Sequence, residues 1–180
     1  MHGLVSLLPQ PFYHEVELLW DELERECGLV GVRQTPFPHF SWTVSESVNE
    51  SALQAALNRL AHQMKPFTIS TAGVGIFPGD KPVVFIRVVK SPALFSLHEA
   101  ILAAVREPLG GALNPLYEPD VWVPHITLAL EDVTEVNLGA IVRLLAGRDL
   151  HWKMQIDNLA FILHRPGTSA EMKFVQRFQS

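Results

Sequence analysis

Cysteine, long apolar runs and positive charge are all scarce in this sequence, and each scarcity excludes a class of protein. A single cysteine, Cys27, excludes an internal disulfide and a cysteine-based zinc cluster. No apolar run reaches the ~18 to 20 residues needed to cross a bilayer, and the N-terminal segment has neither a basic start nor a small-residue cleavage site. The net charge of −5 and the pI near 5.9 argue against a broad surface for nucleic-acid phosphates. We therefore expect a cytoplasmic protein whose ligand, if it is a nucleotide, is small or held by its end.

The remaining composition is that of an ordinary globular protein. Hydrophobic residues make up 48% and charged residues 18% of the 180 residues. This length suits one well-packed domain or two joined lobes. We interpret residues 1–180 as a single domain, and we expect a monomer because no heptad seam indicates self-association.

The spacing of apolar residues predicts alternating helices and strands. Helices are predicted over residues 11–26, 49–64, 96–106 and 138–145, and strands over 3–9, 39–44, 67–77, 83–89, 125–130, 151–163 and 171–178. Pro11 suits the first helical position, and Gly28 ends that helix. Asn49 or Ser51 offers a cap for the second helix.

Two short stretches of the sequence repeat the same pattern 86 positions apart. They are "FPHFSWTV" at 37–44 and "VPHITLAL" at 123–130. Successive side chains of a strand face opposite sides, so each histidine shares a face with the hydroxyl residue two positions later. One predicted face therefore carries His39, Ser41 and Thr43 in the first copy and His125 and Thr127 in the second. The opposite, buried faces carry Phe40, Trp42, Val44, Ile126, Leu128 and Leu130.

The repeat extends past these strands, because a shift of 85 aligns the apolar positions of the helix and strand that follow. The copies begin near His39 and His125. Packing alone would preserve the apolar positions of a duplicated strand but not a polar pair on its opposite face. Two such faces turned toward each other would form a cleft with two imidazoles and two hydroxyls.

This set of side chains suits general acid–base catalysis at a phosphodiester. One neutral imidazole can take a proton from water or a sugar hydroxyl while a protonated one donates to the departing oxygen. The hydroxyls of Ser41 and Thr127 can donate hydrogen bonds to the non-bridging phosphate oxygens. Neither role needs a metal, and the chain lacks a His-Glu-x-x-His spacing that would support a rival zinc site.

The motifs "HFSW" and "HITL" resemble the paired H-x-[ST]-x motifs of the 2H phosphoesterase superfamily, which includes 2′-5′ RNA ligase-like proteins and 2′,3′-cyclic phosphodiesterases. The proline before each histidine and the stretch "GVGIFPGDKPVVFIRV" at 73–88 share this likeness, which covers nearly the whole chain. The resemblance implies an α+β fold with two pseudo-symmetric lobes. Each lobe would be an antiparallel sheet with helices packed outside, and the active-site groove would lie between them.

The same resemblance implies that His39 and His125 are the catalytic acid–base pair, and that Ser41 and Thr127 anchor the phosphate. Serine in the first motif departs from the commoner threonine, but it keeps the hydroxyl. Tyr117 and Trp122, in the segment before the second motif, are further candidates for substrate contact, because aromatic rings stack on bases.

The expected activity is metal-independent hydrolysis of a 2′,3′-cyclic phosphate, or of a related cyclic or 2′-5′ phosphodiester, on an RNA end or small nucleotide. No cofactor, membrane or DNA duplex is expected as a partner. Two alternatives stay open: a non-catalytic module that binds nucleotides or RNA ends, and a phosphodiesterase for a cyclic phosphate metabolite unrelated to RNA. The sequence does not decide which histidine is the acid, or whether the product is a 2′- or a 3′-phosphate.

Overall fold

The computed structural model describes residues 2–111, 113–165 and 167–179, so the predicted domain ends at 1 and 180 lie outside the described residues. The elements, in chain order, are β1 (His2–Leu7), α1 (Phe12–Cys27), β2 (His39–Ser45), α2 (Glu50–Gln63), β3 (Phe67–Phe77), β4 (Val83–Val88), α3 (Pro92–Val105), β5 (His125–Ala129), α4 (Glu135–Ala146), β6 (Lys153–Ile156), β7 (Asn158–Leu163) and β8 (Glu171–Arg177). Short 3-10 turns cover Gly31–Gln34 and Pro115–Tyr117. The predicted α+β class is confirmed.

Helices α2, α3 and α4 each begin after a residue whose side chain caps their first turn. Asn49 accepts a hydrogen bond from the Ala52 amide at 3.1 Å and starts α2, as predicted. Helix α3 starts four residues before the predicted position 96, because Ser91 caps it and Pro92 occupies its first turn. No helix within the described ranges is both long and apolar enough to span a bilayer.

The eight strands form one antiparallel sheet in the order β6-β3-β4-β5-β2-β1-β7-β8. Its two halves, with their helices, form the two lobes. In the first lobe α2 and α3 pack on β2, β7 and β8, and in the second lobe α1 packs on β5 and on α4. The core lies between the sheet and these helices, and β2 and β5 meet at the centre of the sheet.

The single strand predicted over 151–163 is instead two strands, β6 and β7, in different lobes. β6 pairs with β3, whereas β7 pairs with β1 and β8. The chain passes between the lobes at Asp157, where the Asn158 side chain bonds the Leu7 amide at 2.9 Å and the Leu7 carbonyl at 3.0 Å. Apolar periodicity continues across this break, which is why the sequence does not show it.

The order of elements is itself duplicated. The first copy consists of β1, α1, β2, α2 and β3. The second copy has the same order of strand, helix, strand, helix and strand in β4, α3, β5, α4 and the β6–β7 segment. In each copy the first strand lies between its own second strand and the third strand of the other copy. The two copies therefore share one sheet and place β2 and β5 in equivalent central positions.

Candidate active site

The two motif strands, β2 and β5, lie side by side and antiparallel, with Phe40 paired to Ile126. In an antiparallel pair, the neighbouring positions of this register place His39 opposite Thr127 and Ser41 opposite His125. Directly opposed side chains have Cβ atoms ~4.5 to 5.5 Å apart, and diagonal neighbours lie ~7 to 8 Å apart. Phe40 and Ile126 are buried on one face. The other face lines a cleft and carries His39, Ser41, His125 and Thr127, all partly buried.

Each imidazole is oriented by the backbone just before it. Nδ1 of His39 hydrogen-bonds to the carbonyl oxygen of Phe37, and Nδ1 of His125 bonds to that of Val123 at 2.7 Å. A carbonyl oxygen can only accept, so Nδ1 carries the hydrogen in both rings. This leaves Nε2 of each ring as the nitrogen that can take a proton when the ring is neutral and donate one when it is charged.

The prolines before the histidines have a structural reason. Pro38 and Pro124 occupy the middle position of each bonded stretch, between the carbonyl that accepts and the histidine that donates. The ring of proline fixes φ near −65°, which holds the preceding carbonyl in a defined direction. We infer that these prolines restrict the orientation of both imidazoles.

The electrostatic environment keeps both rings neutral near pH 7 without a bound anion. Burial, partly offset by the hydrogen bond to the Phe37 carbonyl, lowers the pKa of His39 to about 4, and a charge on His125 lowers it as well. Burial also lowers the pKa of His125, and its bond to the Val123 carbonyl opposes this. The two rings are thus close enough for protonation of one to disfavour protonation of the other.

Two tryptophans fix the backbone of the hydroxyl residues. The indole of Trp122 donates to the Ser41 carbonyl, and the indole of Trp20 on α1 donates to the Thr127 carbonyl, both at 3.1 Å. These bonds hold the two equivalent carbonyls of the motif strands, and both tryptophans also line the cleft. Each indole therefore fixes the backbone of one motif hydroxyl residue.

Both motifs contain a β-bulge that the predicted alternation missed. The registers of β1 with β2 and of β4 with β5 shift so that Trp42 and Leu128, 86 positions apart, have no opposed residue. A bulge interrupts the alternation of faces. The predictions for Val44 and Leu130 are therefore wrong, since both line the cleft, and so is that for Thr43, which is buried.

The two aromatic candidates both line the cleft, but Trp122 is less exposed than Tyr117. Tyr117 lines the cleft, and burial raises the pKa of its phenol, while a hydrogen bond with the Ser41 side chain opposes this rise. Trp122 is only 1% exposed and stacks on His98 with ring centroids 3.7 Å apart. Substrate contact stays a prediction for both residues, and the Trp122 indole also bonds the Ser41 carbonyl.

The cleft has a volume of about 610 Å³ and is mainly apolar. His125 packs against the rings of Phe77 and Phe85, each with its centroid 5.0 Å from the imidazole. Gly75 permits this arrangement, because a Cβ there would lie 2.4 Å from the Phe85 ring. No cluster of three or more His, Cys, Asp or Glu side chains suited to a metal occurs in the described part of the chain.

Sequence reasoning missed the supporting residues of the site. Trp20 lies on the apolar stripe of α1, and nothing in its spacing distinguishes it from a core residue. The sequence predicts Phe85 only as part of a strand. Gly75 could have indicated the position of Phe85, because glycine within a strand often marks the close approach of another group and Gly75 pairs with Phe85 across β3 and β4. His98 binds the Trp42 carbonyl at 2.9 Å from a helix whose sequence shows only apolar periodicity.

A pair of histidine and hydroxyl side chains on each of two equivalent central strands, with one antiparallel sheet built from duplicated elements, defines the class of 2H phosphoesterases. A family model described as the 2′-5′ RNA ligase superfamily matches residues 10–168. The chain belongs to this superfamily, and the resemblance seen in the motifs is confirmed.

Individual relatives agree with this assignment. The chain is 25% identical over 123 residues to a protein of Bacillus mycoides (strain KBAB4) named "Putative phosphoesterase BcerKBAB4_1135", and the match covers 67% of this chain and 66% of that protein. The structure is similar to TT0787 of Thermus thermophilus, with a TM-score of 0.67, 20% identity and 99% of both chains covered. It is also similar to Kluyveromyces marxianus Usb1 with uridine monophosphate, with a TM-score of 0.51, 11% identity and 98% of both chains covered. These two likenesses concern the fold.

Proposed function

We propose that this protein is a metal-independent phosphoesterase that hydrolyses a 2′,3′-cyclic phosphate, or a related cyclic or 2′-5′ phosphodiester, on a small nucleotide or RNA end. The observation that carries the proposal is the matched orientation of the two imidazoles. Nδ1 of His39 and Nδ1 of His125 each donate to their own chain, so both Nε2 atoms are left for chemistry beside Ser41 and Thr127. A site that only bound phosphate would not need two imidazoles held in the same tautomer.

In the proposed reaction a phosphate lies between the two histidines. Nε2 of the neutral imidazole takes a proton from water as the water oxygen forms a new bond to phosphorus. The bond from phosphorus to the leaving oxygen breaks, and Nε2 of the protonated imidazole donates its proton to that oxygen. The hydroxyls of Ser41 and Thr127 donate to the non-bridging oxygens and stabilise the developing charge. Solvent exchange then restores the starting protonation of both rings.

The surroundings of the two rings favour His39 as the base and His125 as the acid. The hydrogen bond that orients His39 is partly buried, whereas that of His125 is exposed to solvent, so burial penalises a charge on His39 more than one on His125. A charge on His125 in turn lowers the pKa of His39, which keeps that ring neutral. A bound phosphate carries negative charge and raises the pKa of both rings, so that one of them is protonated at working pH.

The choice of a nucleotide as substrate is supported by a structural neighbour and by charge. Usb1 of Kluyveromyces marxianus is described with uridine monophosphate, and it shares the fold of this chain. The net charge of −5 favours a small substrate or a chain end over a duplex. We extend the proposal to a monomer acting in the cytoplasm, as the sequence led us to expect.

The proposal is tested by hydrolysis of the four nucleoside 2′,3′-cyclic monophosphates in the presence of EDTA. Turnover should persist, and His39→Ala and His125→Ala should each lower kcat by a factor of ~10² or more. His62→Ala provides a matched control, because His62 is exposed at the end of α2. Activity that disappears with EDTA, or that survives both active-site substitutions, would contradict the mechanism.

The acid and base roles can be separated with an activated leaving group. A p-nitrophenyl phosphodiester expels a stable phenolate and needs little help from an acid, whereas its attack by water still needs the base. His125→Ala should therefore keep much of the wild-type rate on this substrate, and His39→Ala should not. The reverse result would exchange the two roles but leave the two-histidine mechanism intact.

A further inference from the structure

The wall of the cleft carries little charge. Among the described side chains that line it, none belongs to Lys, Arg, Asp or Glu. Cations on neighbouring segments pair with carboxylates of the protein, as Lys81 does with Glu131 at 2.8 Å and Arg33 does with Asp21. Proteins that follow a nucleic-acid backbone need a series of Lys or Arg side chains, each near one phosphate. The cleft therefore has no electrostatic track for a second or third phosphate.

Two further arginines are neighbours of cleft residues in strand register or in sequence. Arg87 is opposite His125 in the register of β4 and β5, and Arg165 directly follows the cleft residue His164. Both arginines are exposed, and neither lines the cleft. Neither arginine therefore extends positive charge along the described wall of the cleft.

The mouth of the cleft is apolar and open to water. Leu116, Val121 and Val123, which we call the apolar wall, are 73%, 58% and 41% exposed, and all three line the cleft. They lie in the segment that leads into β5. Exposed apolar side chains grouped beside a pocket mark a place where a ligand covers them. The wall is therefore suited to an uncharged, flat or apolar group next to the phosphate.

We propose that the substrate is a small phosphodiester with a single negative charge, whose organic group, such as a nucleobase, packs on Leu116, Val121 and Val123. An RNA chain that follows the protein surface is not the preferred ligand. This inference rests on the proposed function, because it places the phosphate at His39 and His125. The cleft volume of about 610 Å³ lies within the range of pockets that bury one small ligand.

The test measures binding separately from turnover, in the His125→Ala variant. Dissociation constants are compared for adenosine 2′,3′-cyclic phosphate, its 5′-phosphorylated form, a methyl ribose 2′,3′-cyclic phosphate without a base, and a ten-nucleotide RNA with a cyclic end. The nucleoside compound should bind at least as tightly as the RNA, and loss of the base should weaken binding about tenfold. Between ~0.05 and ~0.5 M KCl the affinity for the nucleoside compound should change only weakly, because a single small anion has no condensed counterions to release and is affected by ionic screening alone.

Side-chain variants then locate the organic group. Leu116→Asn and Val121→Thr keep the side-chain size but add polarity, and each should weaken binding of the nucleoside compound about tenfold. The same variants should not change binding of the methyl ribose compound. Val136→Thr on α4 is the matched control, because Val136 is 94% exposed and does not line the cleft.

Each outcome decides the inference. Tighter binding of the RNA, with a salt slope of about −3 or steeper, would show a phosphate track and overturn it. Unchanged affinity in both wall variants would overturn the placement of the organic group. Failure of all four compounds to bind would overturn the substrate class. Turnover of the cyclic nucleotides by the wild-type protein is measured independently, so a phosphoesterase that prefers RNA is distinguished from a protein without the proposed activity.

Discussion

Burial of His98 in the core predicts that the free energy of unfolding falls between pH 7 and pH 5. The side chain is fully buried, and its Nε2 donates to the Trp42 carbonyl at 2.9 Å. Its Nδ1 is buried and has no hydrogen-bond partner among the described residues. Burial, partly offset by the bond to the Trp42 carbonyl, lowers the pKa of His98 to about 4. Protonation would therefore place a charge and an unsatisfied donor in the core.

The sign and size of the effect follow from linkage. An unfolded histidine has a pKa near 6.5, so at pH 5 the unfolded chain binds a proton that the folded protein does not. The contribution of His98 to stability is complete above pH ~6.5 and is lost as the pH falls toward 4. Between pH 7 and pH 5 this loss is about 2 kcal/mol. His39, whose pKa is also lowered to about 4, acts in the same direction.

The assay is urea unfolding of the wild-type protein and of His98→Gln at pH 7 and pH 5. Glutamine can still donate to the Trp42 carbonyl but does not titrate. The variant should therefore lose about 2 kcal/mol less than the wild type between the two pH values. His62→Gln, at an exposed position of α2, should behave like the wild type. An equal pH dependence in the wild type and in His98→Gln would refute the reasoning.

Three further predictions concern the site. Ser41→Ala and Thr127→Val should each lower kcat by about 10²-fold with little loss of folding stability, because each removes a donor to a charged transition state; steady-state kinetics and urea unfolding measure the two effects. Trp20→Phe removes the indole donor to the Thr127 carbonyl but keeps an aromatic ring, and it should lower the free energy of unfolding by about 1 kcal/mol. It should also lower kcat, and Trp20→His, which again offers a ring N–H, should restore part of this loss. The pH profile of kcat/KM should be bell-shaped with its maximum below pH ~6.5, since the pKa values of both His39 and His125 are lowered in the free enzyme. A maximum above pH 7 would contradict this assignment.

The sequence predicts most of the fold because its elements are bounded by local signals. Gly28 ends α1 in a left-handed conformation, Asn49 caps α2, and β3 has the predicted bounds. Local signals do not report which strands become neighbours. The division of residues 151–163 at Asp157 depends on pairing with β3 in one lobe and with β1 in the other, so it was not visible before the sheet was known.

The sequence predicts the four motif residues as a site because a polar pair recurs on the polar face of a duplicated strand, and the structure brings all four to one cleft. The supporting residues Trp20 and His98 lie on helices with apolar periodicity, so the sequence does not distinguish them from core residues. The bulges at Trp42 and Leu128 were missed for a related reason. A bulge is a property of two paired strands, and the sequence of one strand alone still alternates regularly.

The exchange of third strands between the copies links the lobes during folding. The first lobe needs β7 and β8 from the second half of the chain to cover β1, and the second lobe needs β3 from the first half beside β4. A chain cut in the turn at Gly79 would yield two fragments, each with an incomplete sheet and an uncovered strand edge. Neither fragment should fold by itself, whereas a mixture of both should reconstitute the cleft. We therefore expect the two motif strands, β2 and β5, to come together in one cooperative event, so that loss of either lobe removes the site.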